Sequence, residues 1–297
     1  MKIGYLKFLI LIFFCSIQTW SQTSEVLPLK NGETIVWVGN SITHQCRYSQ
    51  YVENYLFTRY PSQHYNFRTA GVSGDKVIDA LERFDLDIAK YNPNYVTILL
   101  GMNDGMYRKF DKNTFEAYQK DMNTLLFKID SIGAKPIIMT PTMFDAKMAE
   151  TTGWFSDESY FSEYNGVMAY YSAWLMEKAL ERNDYYVDLR TSLNQITWNK
   201  RKHDKGFSII PDGIHPNPIG LAVMASDIIR QLFGISSLSE IHLSLPISKT
   251  SIPIVKGGVI SNIKMSRKKI AFDFSPESLP WVIPKNAHKG IELAEGN

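Results

Sequence analysis

The chain is poor in several things, and each absence narrows what it can be. Only two of its 297 residues are cysteines, Cys15 and Cys46, too few for a disulfide-stapled scaffold or a cysteine-rich metal module. Charge of one sign is also lacking. Lys and Arg number 32 against 30 Asp and Glu, so no basic excess marks a nucleic acid or an anionic membrane as partner. Internal repeats and low-complexity tracts are missing, which excludes solenoids and flexible arrays. The six histidines, His44, His64, His203, His215, His242 and His288, show neither H-E-x-x-H nor paired helical spacing, so no metal and no cofactor is expected.

What is present begins with an address. Lys2 and Lys7 precede an apolar run from Phe8 to Ile17, followed by Thr19 and Ser21. That run is well short of the roughly 20 residues that cross a bilayer, so residues 1–21 read as a signal peptide cut near Ser21. A retained anchor is the alternative. The mature chain is then expected to be secreted or periplasmic, without a transmembrane span. Its formal charge is near zero, because two of the 32 basic residues leave and the 30 acidic ones stay. Cys46 would remain as a lone thiol, expected to be buried and inert. Nothing in the sequence indicates an oligomeric state.

With 44% hydrophobic residues the rest can bury a full core, as one large domain with an appendage or two modest ones. Ile35, Val36, Trp37 and Val38 form a continuous apolar run, the mark of a strand covered on both faces in a parallel sheet. Gly39 and Asn40 end it and deliver Ser41. Alone, Ser41 would be read as a turn or N-cap residue. Further strands are expected at 65–72, 95–100, 136–140 and 185–189. Helices are expected at 48–59, 77–90, 115–132, 166–182 and 218–233. This alternation predicts an α/β fold with a doubly wound parallel sheet. Two segments depart from it. Residues 144–165 form an aromatic-rich insertion, with Phe144, Trp154, Phe155, Tyr160, Phe161 and Tyr164, which is either functional or a satellite hydrophobic cluster. Residues 245–297, rich in Ser, Pro and Lys with short strand-like pieces, suggest a β-rich C-terminal extension or the start of a second module.

Strands of a parallel sheet point the same way, so the loops after them gather at one end. They carry Ser41, then Ser73-Gly74-Asp75, then Asn103-Asp104, and Asp212-Gly213-Ile214-His215-Pro216 directly precedes the last helix. Together these supply the parts of acyl transfer: a hydroxyl, an imidazole, a carboxylate and donors for an oxyanion. The four stretches Gly39-Asn40-Ser41-Ile42-Thr43, Ala70-Gly71-Val72-Ser73-Gly74-Asp75, Gly101-Met102-Asn103-Asp104 and Asp212-Gly213-Ile214-His215-Pro216 resemble, in order and spacing, the four blocks of the SGNH hydrolase family, also called the GDSL esterase/lipase family. The match spans about residues 34–233. It is similar to the family in all but one place, since Asn40 stands where the family usually has Asp.

The resemblance implies a flavodoxin-like three-layer α/β/α sandwich with a parallel five-stranded sheet, occupying residues 30–240, with a small β-rich C-terminal appendage. It implies metal-free ester hydrolysis with Ser41 as nucleophile, His215 as general base and Asp212 orienting it. The oxyanion hole would comprise the Ser41 and Gly74 N–H groups and the Asn103 amide. Asn40 keeps the shape and an acceptor oxygen of Asp, so a change in loop electrostatics is expected rather than loss of catalysis. His44 lies near Ser41 in sequence, but a helix after the nucleophile would carry it away. Trp154, Phe155 and Tyr160 are candidate substrate contacts. The expected partner is a small-molecule or polysaccharide ester. The leading substrate is an acetylated carbohydrate, against which stand a lipase or lysophospholipase and a non-catalytic carbohydrate-binding module on the same fold.

Overall fold

A computed structural model of the chain describes residues 26–155, 161–234, 240–242, 254–266 and 269–295. The first 21 residues therefore lie outside the described part. Five strands build the central sheet: β1 (Thr34–Gly39), β2 (Asn66–Gly71), β3 (Tyr95–Leu99), β4 (Lys135–Met139) and β5 (Tyr185–Val187). All neighbours pair in parallel, in the order β2-β1-β3-β4-β5. This is the doubly wound flavodoxin-like order, with β1 between β2 and β3.

Strands β1 and β3 are apolar but for Thr34 and Thr97, because each of their faces meets a helical layer. Ile35 and Trp37 of β1 join Tyr95 and Leu99 of β3 in one core, while Val36 and Val38 join Val96 and Ile98 in the other. The helices are α1 (Ser41–His44), α2 (Arg47–Arg59), α3 (Val77–Glu82), α4 (Phe84–Asp87), α5 (Lys112–Ser131), α6 (Ala146–Ala149), α7 (Tyr164–Arg182), α8 (Arg190–Arg201), α9 (Pro218–Phe233) and a terminal α10 (His288–Glu295). Helices α2, α8 and α9 bury Val52, Leu56, Leu193, Ile196 and Leu221 against the first face. Helices α3, α5 and α7 bury Val77, Leu125 and Leu175 against the second.

Two expectations are corrected. Residues 77–90 are not one helix but α3, α4 and a 3-10 turn at Ala89–Tyr91. The break falls at Arg83, whose side chain turns back to bond Asp75, Asp87 and the Ala70 carbonyl. Helix α8 was not expected at all. Asp188 opens it by accepting from the Arg190 and Thr191 N–H groups at 2.9 and 3.0 Å, the side-chain satisfaction of first-turn donors that helices need.

Beyond the body lie two antiparallel pairs. They are β6 (Glu240–His242) with β7 (Ile254–Lys256), and β8 (Gly258–Met265) with β9 (Ile270–Pro276). The chain then returns. Leu279 N–H donates to Thr58 O at 2.8 Å, and the Trp281 indole donates to Tyr51 O at 2.7 Å. Ile283, Ala287 and Ala294 enter the core beside α9. The last described residues thus form a helix seated on the body, an element not expected from the sequence. Among the described residues no helix is long and apolar enough to cross a membrane.

Candidate active site

The turn that presents Ser41 is possible because two glycines lie side by side. Gly39 and Gly71 are partners at the ends of β1 and β2. A Cβ on Gly39 would lie 2.2 Å from Thr43 Oγ1, and one on Gly71 would lie 2.4 Å from His44 N. Only bare backbone lets α1 rest on these strand ends. Asn40 caps the turn, its side-chain oxygen accepting from Ile42 N–H at 3.1 Å while it is buried. The acceptor that an Asp would supply here is therefore kept.

Ser41 Oγ lies 2.7 Å from His215 Nε2, and His215 Nδ1 lies 2.8 Å from Asp212 Oδ2. A carboxylate only accepts, so Nδ1 carries the proton and Nε2 is the acceptor for the serine O–H. The other Asp212 oxygen accepts from the N–H groups of Ile214 and His215 at 2.9 and 2.7 Å. Burial by itself would raise the Asp212 carboxyl, but the His215 ring and these two N–H donors outweigh it and hold the group below its ordinary value. Asp212 stays ionised beside the imidazole.

The loop bearing Asp212 and His215 is anchored by Asp145, which directly precedes α6 in the segment after β4. Asp145 N–H donates to Gly213 O at 2.9 Å. The Asp145 carboxylate meets Arg201 at 2.5 Å and Ser208 Oγ at 2.7 Å, and Arg201 Nε donates to Phe207 O at 2.8 Å. Gly213, with φ +88°, passes so close to α6 that a Cβ would sit 2.7 Å from that of Ala149.

Gly74 and Asn103 sit on the loops after β2 and β3, which lie on either side of the loop that carries Ser41 because β1 runs between those strands. The Asn103 amide donates to Asp75 O at 2.9 Å. Asp104, buried behind it, accepts from Val77 N–H and Gly101 N–H, each at 2.9 Å, and so ties the Gly74 loop to the Asn103 loop. Burial pushes the Asp104 carboxyl up to about 6, against the pull of these donors. Asp75 is pinned by Arg83 at 2.7 Å.

The remaining candidates divide. Trp154 is 59% exposed, and its ring stands edge-on to His215 with centroids 6.4 Å apart. Phe155 turns away and packs against Tyr107, Phe144 and Phe161. Tyr160 lies outside the described residues. His44 bonds the Gly71 carbonyl at 3.0 Å. Cys46 is half-exposed rather than buried, at the start of α2 with φ +57°. Sequence reasoning missed Tyr107, Asp145 and Arg201, none of which belongs to a recognisable spacing.

A family model, that of the GDSL-like lipase/acylhydrolase family, matches residues 37–223. The chain belongs to this family. It is an ester-bond hydrolase with the α/β fold of its relatives. It is 22% identical over 228 residues to an acetylxylan esterase of Geobacillus stearothermophilus, which covers 69% of this chain and 96% of the relative. A solved catalytic mutant of that esterase superposes with a TM-score of 0.56 at 21% identity, covering 70% of this chain and 99% of that one. Its solved catalytic mutants replace a serine, an aspartate or a histidine by alanine. A gut microbial diltiazem-metabolizing enzyme superposes with a TM-score of 0.70 at 26% identity over 86% of this chain, which spans 59% of that enzyme's length.

Proposed function

We propose that this GDSL-family hydrolase is a secreted serine esterase that removes acetyl groups from carbohydrate, with Ser41 as nucleophile, His215 as base and Asp212 as its orienting partner. The reading is carried by the unbroken chain from Ser41 Oγ through His215 to Asp212, at 2.7 and 2.8 Å. It is supported by the serine, aspartate and histidine whose replacement gives catalytic mutants in the acetylxylan esterase. Residues 1–21 would be the signal peptide, residues 30–240 the catalytic domain and residues 245–297 an extension to it.

In the first step Nε2 of His215 takes the Ser41 proton as Oγ attacks the ester carbonyl. The oxyanion is received by the N–H groups of Ser41 and Gly74 and the Asn103 amide. Protonated His215, held by Asp212, gives its proton to the leaving sugar oxygen. Water activated by the same imidazole then releases acetate and restores Ser41. Exposed beside His215, Trp154 offers an aromatic face to a sugar ring, which supports carbohydrate as the alcohol part.

The test compares acetylated xylooligosaccharide with short- and long-chain p-nitrophenyl esters, using Ser41→Ala as control. Preference for acetyl esters that vanishes in Ser41→Ala is expected. Preference for the long chain would make the protein a lipase-type acyl hydrolase, and inactivity on all of them would point to a binding module.

A further inference from the structure

Tyr107 is a phenol beside the site for which the mechanism above has no use. It ends the turn that follows β3, and its hydroxyl lies 2.5 Å from Asn103 Oδ1. On its other side the Asn103 amide meets the Asp75 carbonyl at 2.9 Å. A carbonyl accepts only, so the group facing Asp75 must be the NH2 and the group facing Tyr107 must be the oxygen. Tyr107 is then the donor. One amide N–H is held by Asp75 and the other is left for the oxyanion.

The surroundings hold the phenol in that role. Its ring lies in an aromatic cluster, with centroids 5.1 Å from Tyr164, 5.4 Å from Phe155 and 6.0 Å from Phe144. Burial pushes its hydroxyl above the ordinary tyrosine range, so it remains a donor at any working pH. The backbone is bent to deliver it. Met106 and Tyr107 have φ of +62° and +53°, a conformation that L side chains adopt rarely and that gathers at functional turns. Tyr164 fixes the start of the same turn by donating to Met102 O. It reaches across Gly105, where a Cβ would lie 2.4 Å from its hydroxyl.

We propose that Tyr107 is a positioning residue which locks the Asn103 amide with its nitrogen toward the reacting carbonyl, an inference that rests on Asn103 being an oxyanion donor. Tyr107→Phe removes the hydroxyl and keeps the ring in its cluster. Rates of acetyl-ester hydrolysis, counted per active site from the acyl-enzyme burst so that unfolded protein does not contribute, should show kcat lowered by about tenfold with KM unchanged, the worth of one buried hydrogen bond felt in the transition state. Adding Tyr107→Phe to Asn103→Ala should cause no further loss. Wild-type kcat in Tyr107→Phe, a raised KM with kcat kept, or losses that multiply in the double variant would each overturn the inference while leaving the Ser41 assignment intact. Full turnover in Asn103→Ala alone would overturn both the oxyanion assignment and this inference.

Discussion

Replacing Arg201 by methionine should destabilise the protein and slow it at once, because one ion pair supports both the fold and the loop that carries Asp212 and His215. Arg201 and Asp145 meet at 2.5 Å with side chains only 8% and 2% exposed. Removing one partner of such a pair costs about 3–5 kcal/mol, since the other charge is left buried. Ser208 Oγ still donates to Asp145 at 2.7 Å, which argues for the lower end of that range. At roughly 2–4 °C per kcal/mol for a chain of this size, a loss of about 3 kcal/mol lowers the Tm by roughly 6–12 °C. Phe207 O also loses its donor at 2.8 Å, so the loop loosens upstream of Asp212 and His215. Displacements on the order of 1 Å can lower kcat by about 10²-fold. Thermal melts followed by circular dichroism, with ester hydrolysis well below the transition, read both effects. Asp145→Ala combined with Arg201→Met removes the stranded carboxylate too, and should recover part of the stability but not the rate. A Tm within about 2 °C of wild type, at most about 1 kcal/mol on that scale, together with unchanged kcat, would refute the reasoning.

Two further perturbations probe other parts of the account. Gly71→Ala places a Cβ 2.4 Å from the His44 backbone nitrogen, so α1 must move and carry Ser41 with it. We expect kcat to fall by at least about tenfold with a lower Tm, both measurable on the purified variant, since overpacking against backbone costs about 1–3 kcal/mol. Asp227 on α9 is fully buried. Burial pushes its carboxyl up from 3.8 to about 7 despite Arg230 and Ser192. A carboxyl raised in the folded state adds stability that is complete below its unfolded value and is lost as pH rises through about 7. Asp227→Asn, which cannot ionise, should therefore shrink the drop in Tm between pH 5 and pH 8. An unchanged drop would mean that Asp227 does not titrate in that window.

The sequence was informative where a residue's role follows from its near neighbours in the chain. The apolar run at Ile35 to Val38 reports burial on both faces, and it and the expected strand at 95–100 became the neighbouring strands β1 and β3. The order of the blocks around Ser41, Gly74, Asn103 and His215 was enough to place the fold, and the side chains it singled out as a candidate triad, Ser41, His215 and Asp212, lie each within hydrogen-bond reach of the next. Side chains that act across the fold left no such trace. Tyr107 reaches Asn103 only because Met106 and Tyr107 adopt positive φ, which nothing in Gly105-Met106-Tyr107 announces. Arg201 meets Asp145 from 56 positions away, and ion pairs at that separation have no periodicity. Helix α8 was missed for a different reason. It follows β5 after the single capping residue Asp188 and Leu189, and its buried positions, Leu193, Ile196 and Thr197, include only two apolar side chains, too few to stand out among polar neighbours. Arg83 broke a helix that hydrophobic spacing alone would have continued, because its guanidinium is committed to Asp75, Asp87 and Ala70 O.

The central claim is that Ser41 is the nucleophile activated by His215. A fluorophosphonate, which phosphonylates activated serine hydroxyls with loss of fluoride, followed by peptide mapping by mass spectrometry, tests it most directly. The account predicts a single adduct on the peptide containing Ser41, formed in step with loss of ester hydrolysis and strongly slowed in His215→Ala. An adduct on another residue, or ester hydrolysis that survives complete labelling of Ser41, would contradict it.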